Sequence, residues 1–370
     1  MARDPRAPGT GAEAHARADA DLVVVGGGPV GLVAALHAAR LGMSAVVVEP
    51  RPSPVDKACG EGIMPAGVAE LAALGVHPDG HPIRGIRYVD GRSLDGRGPS
   101  ADAPVGPRPG LGVRRTTLHA ALTRATEAAG DGIRQVQDRV VDLAQDDGGV
   151  TVGLAGGGEV RAGHVVAADG LLSPTRRLLG LDRPSRAPRR RGLRRHYRVA
   201  PWTDHVEVHW GRSCEAYVTP VAEDVVGVAV LTGRVGGFLE HLAEIPRLAD
   251  RFAGAEPLDE VRGAGPLRQR AARQVAGRVL LAGDAAGYVD ALTGEGLTLG
   301  WRQARAAVEA VAAGDPSRYE AHWHTIGLPA RALTGGLVVA TRSAFVRRHL
   351  VTAAAHVPWV YRSAVRVVAS

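Results

Sequence analysis

The sequence predicts an α/β protein: a mainly parallel sheet, an inserted antiparallel sheet and C-terminal helices. Three observations predict it. Residues 21–50, "DLVVVGGGPVGLVAALHAARLGMSAVVVEP", give an apolar run, a glycine turn, a helical stretch, a second apolar run and an acid. Two later apolar runs end at Asp169-Gly170 and at Gly283-Asp284. Between them the pattern changes to short β-branched and aromatic segments separated by turn residues.

Composition narrows the class. A chain of 370 residues, 45% hydrophobic and 22% charged, buries a large core and has room for two connected domains. Two cysteines, Cys59 and Cys214, are too few for a disulfide framework, which points to a reducing, cytoplasmic compartment. The polar, alanine-rich residues 1–20 lack the apolar centre of a secretory signal and read as a disordered leader. No apolar run approaches the roughly 20 residues needed to cross a bilayer. The net charge of +7 comes from arginines spread along the chain, Lys57 being the single lysine, so it does not mark a nucleic-acid surface.

The elements follow in order. Residues 22–25 form a continuous apolar strand, as one covered on both faces requires. Gly26, Gly28 and Gly31 then supply G-x-G-x-x-G: a tight turn, backbone access for a pyrophosphate, and close helix-to-strand packing. A helix over 29–41, opened by Pro29, aims its first N–H groups at the anion. The strand 44–48 ends at Glu49, placed to accept from a ribose hydroxyl. This is a Rossmann-like dinucleotide site, with NAD and FAD both open at this point. Residues 154–163, "LAGGGEVRAG", link two strand-like runs and read as a hairpin rather than a second nucleotide loop.

Taken in this order, G-x-G-x-x-G, "HVVAADGLLSPTRRLLGL" and "GRVLLAGDAAGYVDALTGEGLTLGW" resemble the motifs of the FAD-dependent monooxygenase (group A flavoprotein hydroxylase) and geranylgeranyl-reductase superfamily. The resemblance implies FAD as cofactor and NAD(P)H as a transient reductant that binds without a domain of its own. It implies that Asp284, beside Gly283, accepts from the ribityl chain. Gly294, Gly296 and Leu297 would open a helix toward the flavin ring. Asp169 and Gly170 would shape the region near the pyrophosphate and meet the nicotinamide nucleotide. Arg115 would be the cofactor-facing arginine at a helix start, with Arg114 able to exchange roles with it. The FAD-binding domain is expected over 21–82, 112–182 and 274–328, the substrate domain over 83–111 and 183–273, and a helical segment over 329–370.

In 54–76 the text K-x-C-G-x-G looks like the reductase branch and related flavin hydroxylases. Gly60 and Gly62 let this loop pass close to a flat ring. Cys59 would sit beside it as pocket lining or proton donor, while Lys57 and Glu61 are either pocket groups or surface charges. Four strands follow Arg191. In one, His205, Glu207 and His209 alternate with Val206, Val208 and Trp210, giving a wet face without metal-ligand spacing. In "EAYVTPV", Tyr217 and Thr219 share a face and Pro220 ends the strand, where the reductase branch carries aromatic-x-aromatic-Pro. This smaller, more polar edge favours a substrate with oxygen functions, and Tyr217 is the candidate proton-transfer group. Most of Arg189, Arg190, Arg191, Arg194, Arg195 and Arg198 are expected in solvent.

The resulting expectation is an NAD(P)H-consuming monooxygenase that hydroxylates an aromatic or polyketide-like secondary metabolite through a flavin C4a-hydroperoxide. The alternative is an FAD-dependent reductase of isoprenoid double bonds. A halogenase is disfavoured because no W-x-W-x-I-P stretch occurs. The expected partners are a small-molecule substrate and O₂, with no nucleic acid and no metal. Peripheral contact with a membrane, through the basic apolar C-terminal segment, and a monomer or homodimer are left open.

Overall fold

The computed structural model describes residues 18–93 and 98–369. The expected leader lies outside the described residues up to position 17. Asp19 already belongs to the folded body, since its Oδ2 accepts the Arg161 N–H at 2.9 Å.

The first sheet carries parallel strands in the order Ile133–Val136, Ala45–Val48, Ala20–Val25, Gly158–Ala167 and Val279–Leu281. Val275–Ala276 adds an antiparallel edge. Ala45–Val48, residues 22–25 of Ala20–Val25, the end of Gly158–Ala167 and Val279–Leu281 are buried on both faces, the reason they read as unbroken apolar runs, while the edge strand Ile133–Val136 exposes Arg134 and Gln135. The helix Pro29–Arg40 packs against the helices Gly296–Ala312 and Arg115–Ala128, and its ends fall within a residue of the sequence expectation. The 154–163 hairpin is present: Gly149–Leu154 pairs antiparallel with the start of Gly158–Ala167.

The second sheet runs Glu256–Pro257, Arg191–Arg198, Val225–Thr232, Cys214–Ala222, His205–Trp210, Gly85–Asp90 and Ser100–Pro104. It departs from expectation in three ways. His205–Trp210 pairs parallel with Gly85–Asp90, so the sheet is mixed. The strand Cys214–Ala222 continues past Pro220 through a shift in register between Pro220 and Ala222, as a proline at a bulge permits. The supposed wet face of His205–Trp210 is largely dry. Glu207 and His209 are buried and paired, with the His209 Nε2 at 3.0 Å from Glu207 Oε2 and the Trp202 indole N–H donating to the same oxygen at 3.1 Å. A polar-apolar alternation therefore marks two packed faces here, one of them satisfied by hydrogen bonds.

The C-terminal cover is helical, as expected, but starts earlier, with Arg318–Ala340 running through Pro329, then Ala344–His356 and Pro358–Ala369. The last helix is pinned to the second sheet by the Tyr361 hydroxyl, which donates to Ile86 O at 3.0 Å.

One close approach sets the nucleotide end. Gly26 adopts φ 101°, and a Cβ on Gly31 would lie 1.8 Å from the Gly26 carbonyl oxygen. Gly31→Ala must push the helix off the strand, a loss of about 1–3 kcal/mol or more. Thermal unfolding of the purified variant should therefore begin at a clearly lower temperature, and a melting curve superimposable on the parent's would refute this contact.

Candidate active site

The parallel strands end together, and each hands a different group to one cleft, the position where open α/β sheets bind ligands. After Val25 comes the glycine loop, after Val48 comes Glu49, after Ala167 come Asp169 and Gly170, and after Leu281 come Gly283 and Asp284.

Glu49 Oε2 accepts the Gly27 N–H at 3.0 Å, and Oε1 accepts Arg51 Nε at 2.7 Å. Burial opposes its ionisation, but the hydrogen bonds from Arg51 and Gly27 outweigh it and hold the carboxyl below its ordinary value. Arg115 faces the glycine loop, its Nη2 3.6 Å from where a Gly28 Cβ would stand. Arg114 turns instead to Asp259, at 3.8 Å. That resolves the choice between the two arginines in favour of Arg115 as the group at the loop. His119, which the sequence reading missed, is buried with its Nε2 2.8 Å from Gly27 O.

Lys57 is not a surface charge. Its Nζ donates to Asp284 Oδ2 at 3.1 Å and stands 3.6 Å from the position of a Gly170 Cβ, so it reaches both strand-end motifs. Asp169 does not line the cavity: its Oδ2 accepts the Thr175 N–H at 2.8 Å at the start of the helix Pro174–Leu178, and its Oδ1 is buried without a hydrogen-bond partner. Burial raises its carboxyl above the ordinary value, and hydrogen bonds from Ser173 and Thr175 work the other way.

The cleft and the second sheet share one cavity that opens to solvent. Of the expected cofactor residues, Gly28, Pro29, Arg115, Gly170, Asp284, Gly294, Gly296 and Leu297 line it, while Gly26, Gly31, Glu49, Asp169 and Gly283 do not. Cys59, Gly60, Glu61 and Gly62 line it from the K-x-C-G-x-G loop. The far wall is apolar, with Met64, Ile86, Val206, Val208, Leu231 and Leu267 joined by Leu333, Leu337 and Val365 of the C-terminal helices.

Tyr217 lines this wall, but its hydroxyl donates to Leu292 O at 2.7 Å. Burial and the nearby Glu215 carboxylate push its proton affinity well up. Tyr217 thus keeps its proton, which is committed to Leu292 O, so it is a poor proton donor with no ionised form to serve as a base, and its expected proton-transfer role is corrected to one of wall and tether. Thr219 and Pro220 do not line the cavity: Thr219 Oγ1 donates to Gly60 O at 2.8 Å and so holds the loop from behind. Cys59 Sγ accepts the Glu61 N–H at 3.4 Å. The arginine-rich strand is also drier than expected, Arg194 being 1% exposed and Arg190 pairing with Glu215 at 2.6 Å. Among the described residues no group of three His, Cys, Asp or Glu is placed to hold a metal ion.

Comparison with known proteins fits this geometry. A family model described as an FAD binding domain matches residues 19–218. The menaquinone reductase of Mycolicibacterium smegmatis is 30% identical over 340 residues, 83% of this chain and 80% of that protein. The rifampicin monooxygenase of Streptomyces venezuelae is 31% identical over 175 residues, 46% of this chain and 36% of that protein. Among solved structures, the OxyS anhydrotetracycline hydroxylase from Streptomyces rimosus superposes with a TM-score of 0.72 at 24% identity, covering 95% of this chain and 75% of that one, which is a likeness of fold.

Glu295, just before the helix Gly296–Ala312, yields a pH prediction. Burial raises its carboxyl from the ordinary 4.5 to about 7, against a Thr293 hydrogen bond and the charge of Arg302. Between those values the folded protein holds a proton that the unfolded chain releases, so stability falls as pH rises from about 4.5 to 7 and then levels, by about 3 kcal/mol in total. Glu295→Gln removes this penalty. Its melting temperature should exceed the parent's at pH 8 and match it near pH 4.5, with equal flavin content. A constant gap between the two curves across that range would contradict the burial argument.

Proposed function

This chain belongs to the FAD-binding flavoprotein monooxygenase and geranylgeranyl-reductase superfamily, and from that premise we propose that it is an NAD(P)H-consuming monooxygenase acting on an apolar aromatic or polyketide-like substrate. It is an FAD-dependent oxidoreductase. The cleft fits FAD: Arg115 Nε is buried without a hydrogen-bond partner, and positions 60 and 294, both glycine on the cavity wall, have nothing within 4 Å of a would-be Cβ. Gly28, Pro29 and Arg115 would hold the pyrophosphate, Asp284 the ribityl chain, and Gly294, Gly296 and Leu297 the ring. Bound FAD supplies hydride acceptance from NAD(P)H and reaction with O₂.

The observation that carries the reading is the continuity of the cofactor cleft with an apolar, helix-covered wall. Oxygen transfer to an electron-rich carbon needs a site shielded from water beside the flavin, and Tyr361 and Val365 close the wall from outside. The apolar lining also restricts the substrate to one with a substantial hydrocarbon part. The reductase reading keeps a specific support of its own: the similarity to menaquinone reductase extends over most of both chains, and Cys59 of K-x-C-G-x-G lines the cavity. An aromatic polyketide with an apolar tail, supplied with NADPH under labelled O₂, should gain one labelled oxygen. Anaerobic turnover of a polyprenyl quinone, giving a product two hydrogens heavier, with no label taken up under labelled O₂, would establish the reductase instead.

The same reading extends to a partner, anionic lipid. Past Glu320 the sequence holds six arginines (Arg331, Arg342, Arg347, Arg348, Arg362 and Arg366) and no acidic residue. The inner face of Pro358–Ala369 buries Tyr361, Val365 and Val368. Its outer stripe, Trp359, Arg362, Arg366 and Val367, is exposed, and Trp359 is 70% so. Aromatic, aliphatic and cationic groups on one face suit a phospholipid interface. No helix among the described residues is long and apolar enough to cross a membrane. Holoenzyme should co-sediment with phosphatidylglycerol vesicles more than with phosphatidylcholine vesicles, and W359A/R362E/R366E should lose that binding while keeping its FAD. Equal sedimentation of parent and variant would remove the lipid assignment.

A further inference from the structure

We infer that Glu61, His196 and Asp259 form a proton-exchange path between the flavin cavity and solvent. Glu61 lines the cavity, is 3% exposed, and is the one non-glycine residue with positive φ among the described residues, at 60°. A side chain rarely adopts that backbone, and here three contacts hold it. Its Oε1 accepts the Arg115 N–H at 2.7 Å, its Oε2 lies 2.5 Å from His196 Nε2, and its carbonyl accepts the Val113 N–H at 2.9 Å.

His196 is 1% exposed, and its other ring nitrogen lies 2.6 Å from Asp259 Oδ2. Asp259 also fixes the strand, since its Oδ1 accepts the His196 backbone N–H at 2.9 Å, and its side chain remains 19% exposed. One imidazole thus bridges a carboxylate in the cavity wall and a carboxylate that reaches water. The position opposite is Gly227, where a Cβ would stand 2.9 Å from Glu61 Oε2 and 3.4 Å from His196 Cδ2, so the absence of a side chain in that strand makes room for the contact.

The surrounding charges are paired. Arg194 Nη1 donates to Asp259 Oδ2 at 2.6 Å, which brings it 2.9 Å from His196 Nδ1 because both groups aim at the same oxygen. Arg194 Nη2 donates to Asp56, Arg262 lies 3.4 Å from Asp56, and Arg114 lies 3.8 Å from Asp259. Three carboxylates (Glu61, Asp259, Asp56) face three guanidiniums (Arg194, Arg262, Arg114), leaving the imidazole, with one ring nitrogen on each of two carboxylates, as the group of the cluster placed to pass a proton.

A carboxylate has lone pairs beyond the two that Arg115 and His196 use, so Glu61 can still take a proton from the cavity. The step is balanced: Glu61 gains a proton and becomes neutral, while His196 passes its Nδ1 proton through Asp259 to water and also becomes neutral. The three residues carry one net negative charge before and after. Run in reverse, the path brings a proton in. Only the outward direction, from a substrate hydroxyl, rests on the monooxygenase reading.

The test needs no substrate. Reoxidation of reduced holoenzyme by O₂ to give FAD and hydrogen peroxide consumes one proton, and absorbance near 450 nm follows it in H₂O and D₂O across pH 5.5–9. Glu61→Gln, which keeps size and one acceptor oxygen for the Arg115 N–H, and His196→Gln should retain FAD yet slow reoxidation about 10²-fold at pH 7 and flatten its pH profile. A second readout uses flavin-free protein: proton NMR should show two downfield ring N–H signals that vanish together in His196→Gln. Asp259→Asn provides a third variant should Glu61→Gln fail to fold, with the same slowing expected. Parent-like rates in the variants, slowing with an unchanged pH profile and isotope effect, or a ring carrying only one N–H would each overturn the path. Because no substrate is present, these outcomes stand apart from the labelled-oxygen result.

Discussion

One buried guanidinium holds the site together. Arg176 is 1% exposed, and its donors reach four separate segments: Asp182 through Nε at 2.7 Å, Ala285 O through Nη1 at 3.0 Å, and Leu171 O and Gln269 through Nη2 at 3.1 and 3.0 Å. The loop after Gly158–Ala167 and the turn after Val279–Leu281 are thereby fixed to each other, and Gly170 and Asp284 with them. A fully buried arginine is tolerable only when its hydrogen bonds are made and its charge is matched. Because Asp182 is the single carboxylate among these partners, the other donors need carbonyls in set positions. The geometry of the two motifs is therefore a condition for burying the charge.

The same logic of polar groups spanning distant segments recurs around the cleft. Gln303, on the helix Gly296–Ala312, accepts the Gly283 N–H at 2.9 Å, and Tyr319 donates to Leu281 O at 2.7 Å. Thr219 holds Gly60 from the second sheet, and Tyr217 holds Leu292. Three of these join a loop or turn to a rigid element, and Tyr319 ties a helix to the end of a strand. A loop that must approach a flat ring gains precision from such anchors at little entropic cost, since the anchoring side chains are already packed.

These anchors mark the boundary of what could be read from the sequence. The valine runs, the glycine spacing and the strand-end acids are local patterns, so the parallel sheet and the loops that follow its strands were legible. Partners far apart in sequence were not. Glu61 and His196 are separated by 135 positions and Lys57 and Asp284 by 227, and nothing local distinguishes them from surface charges. The alternation at His205–Trp210 misled for a related reason: a polar residue buried against Trp202 and Arg87 has the same local pattern as one facing water. Tyr217 was read as a proton-transfer group, but whether its hydroxyl is free depends on Leu292, a residue 75 positions on.

The distribution of charge explains how one cavity joins a polar nucleotide end to an apolar wall. Carboxyl, guanidinium and amino groups on the cavity are confined to its nucleotide end and to the Glu61 cluster. The wall built by the second sheet and the last helices contributes side chains such as Val206, Val208, Leu333 and Val365, whose burial needs no partner. Flavin chemistry moves charge and protons, so the cavity must exclude bulk water without isolating the reacting atoms from every ionisable group. A buried imidazole between two carboxylates meets both demands: it lets a proton cross the wall while the cluster keeps its net charge, which open water at the same place would achieve only by exposing the flavin.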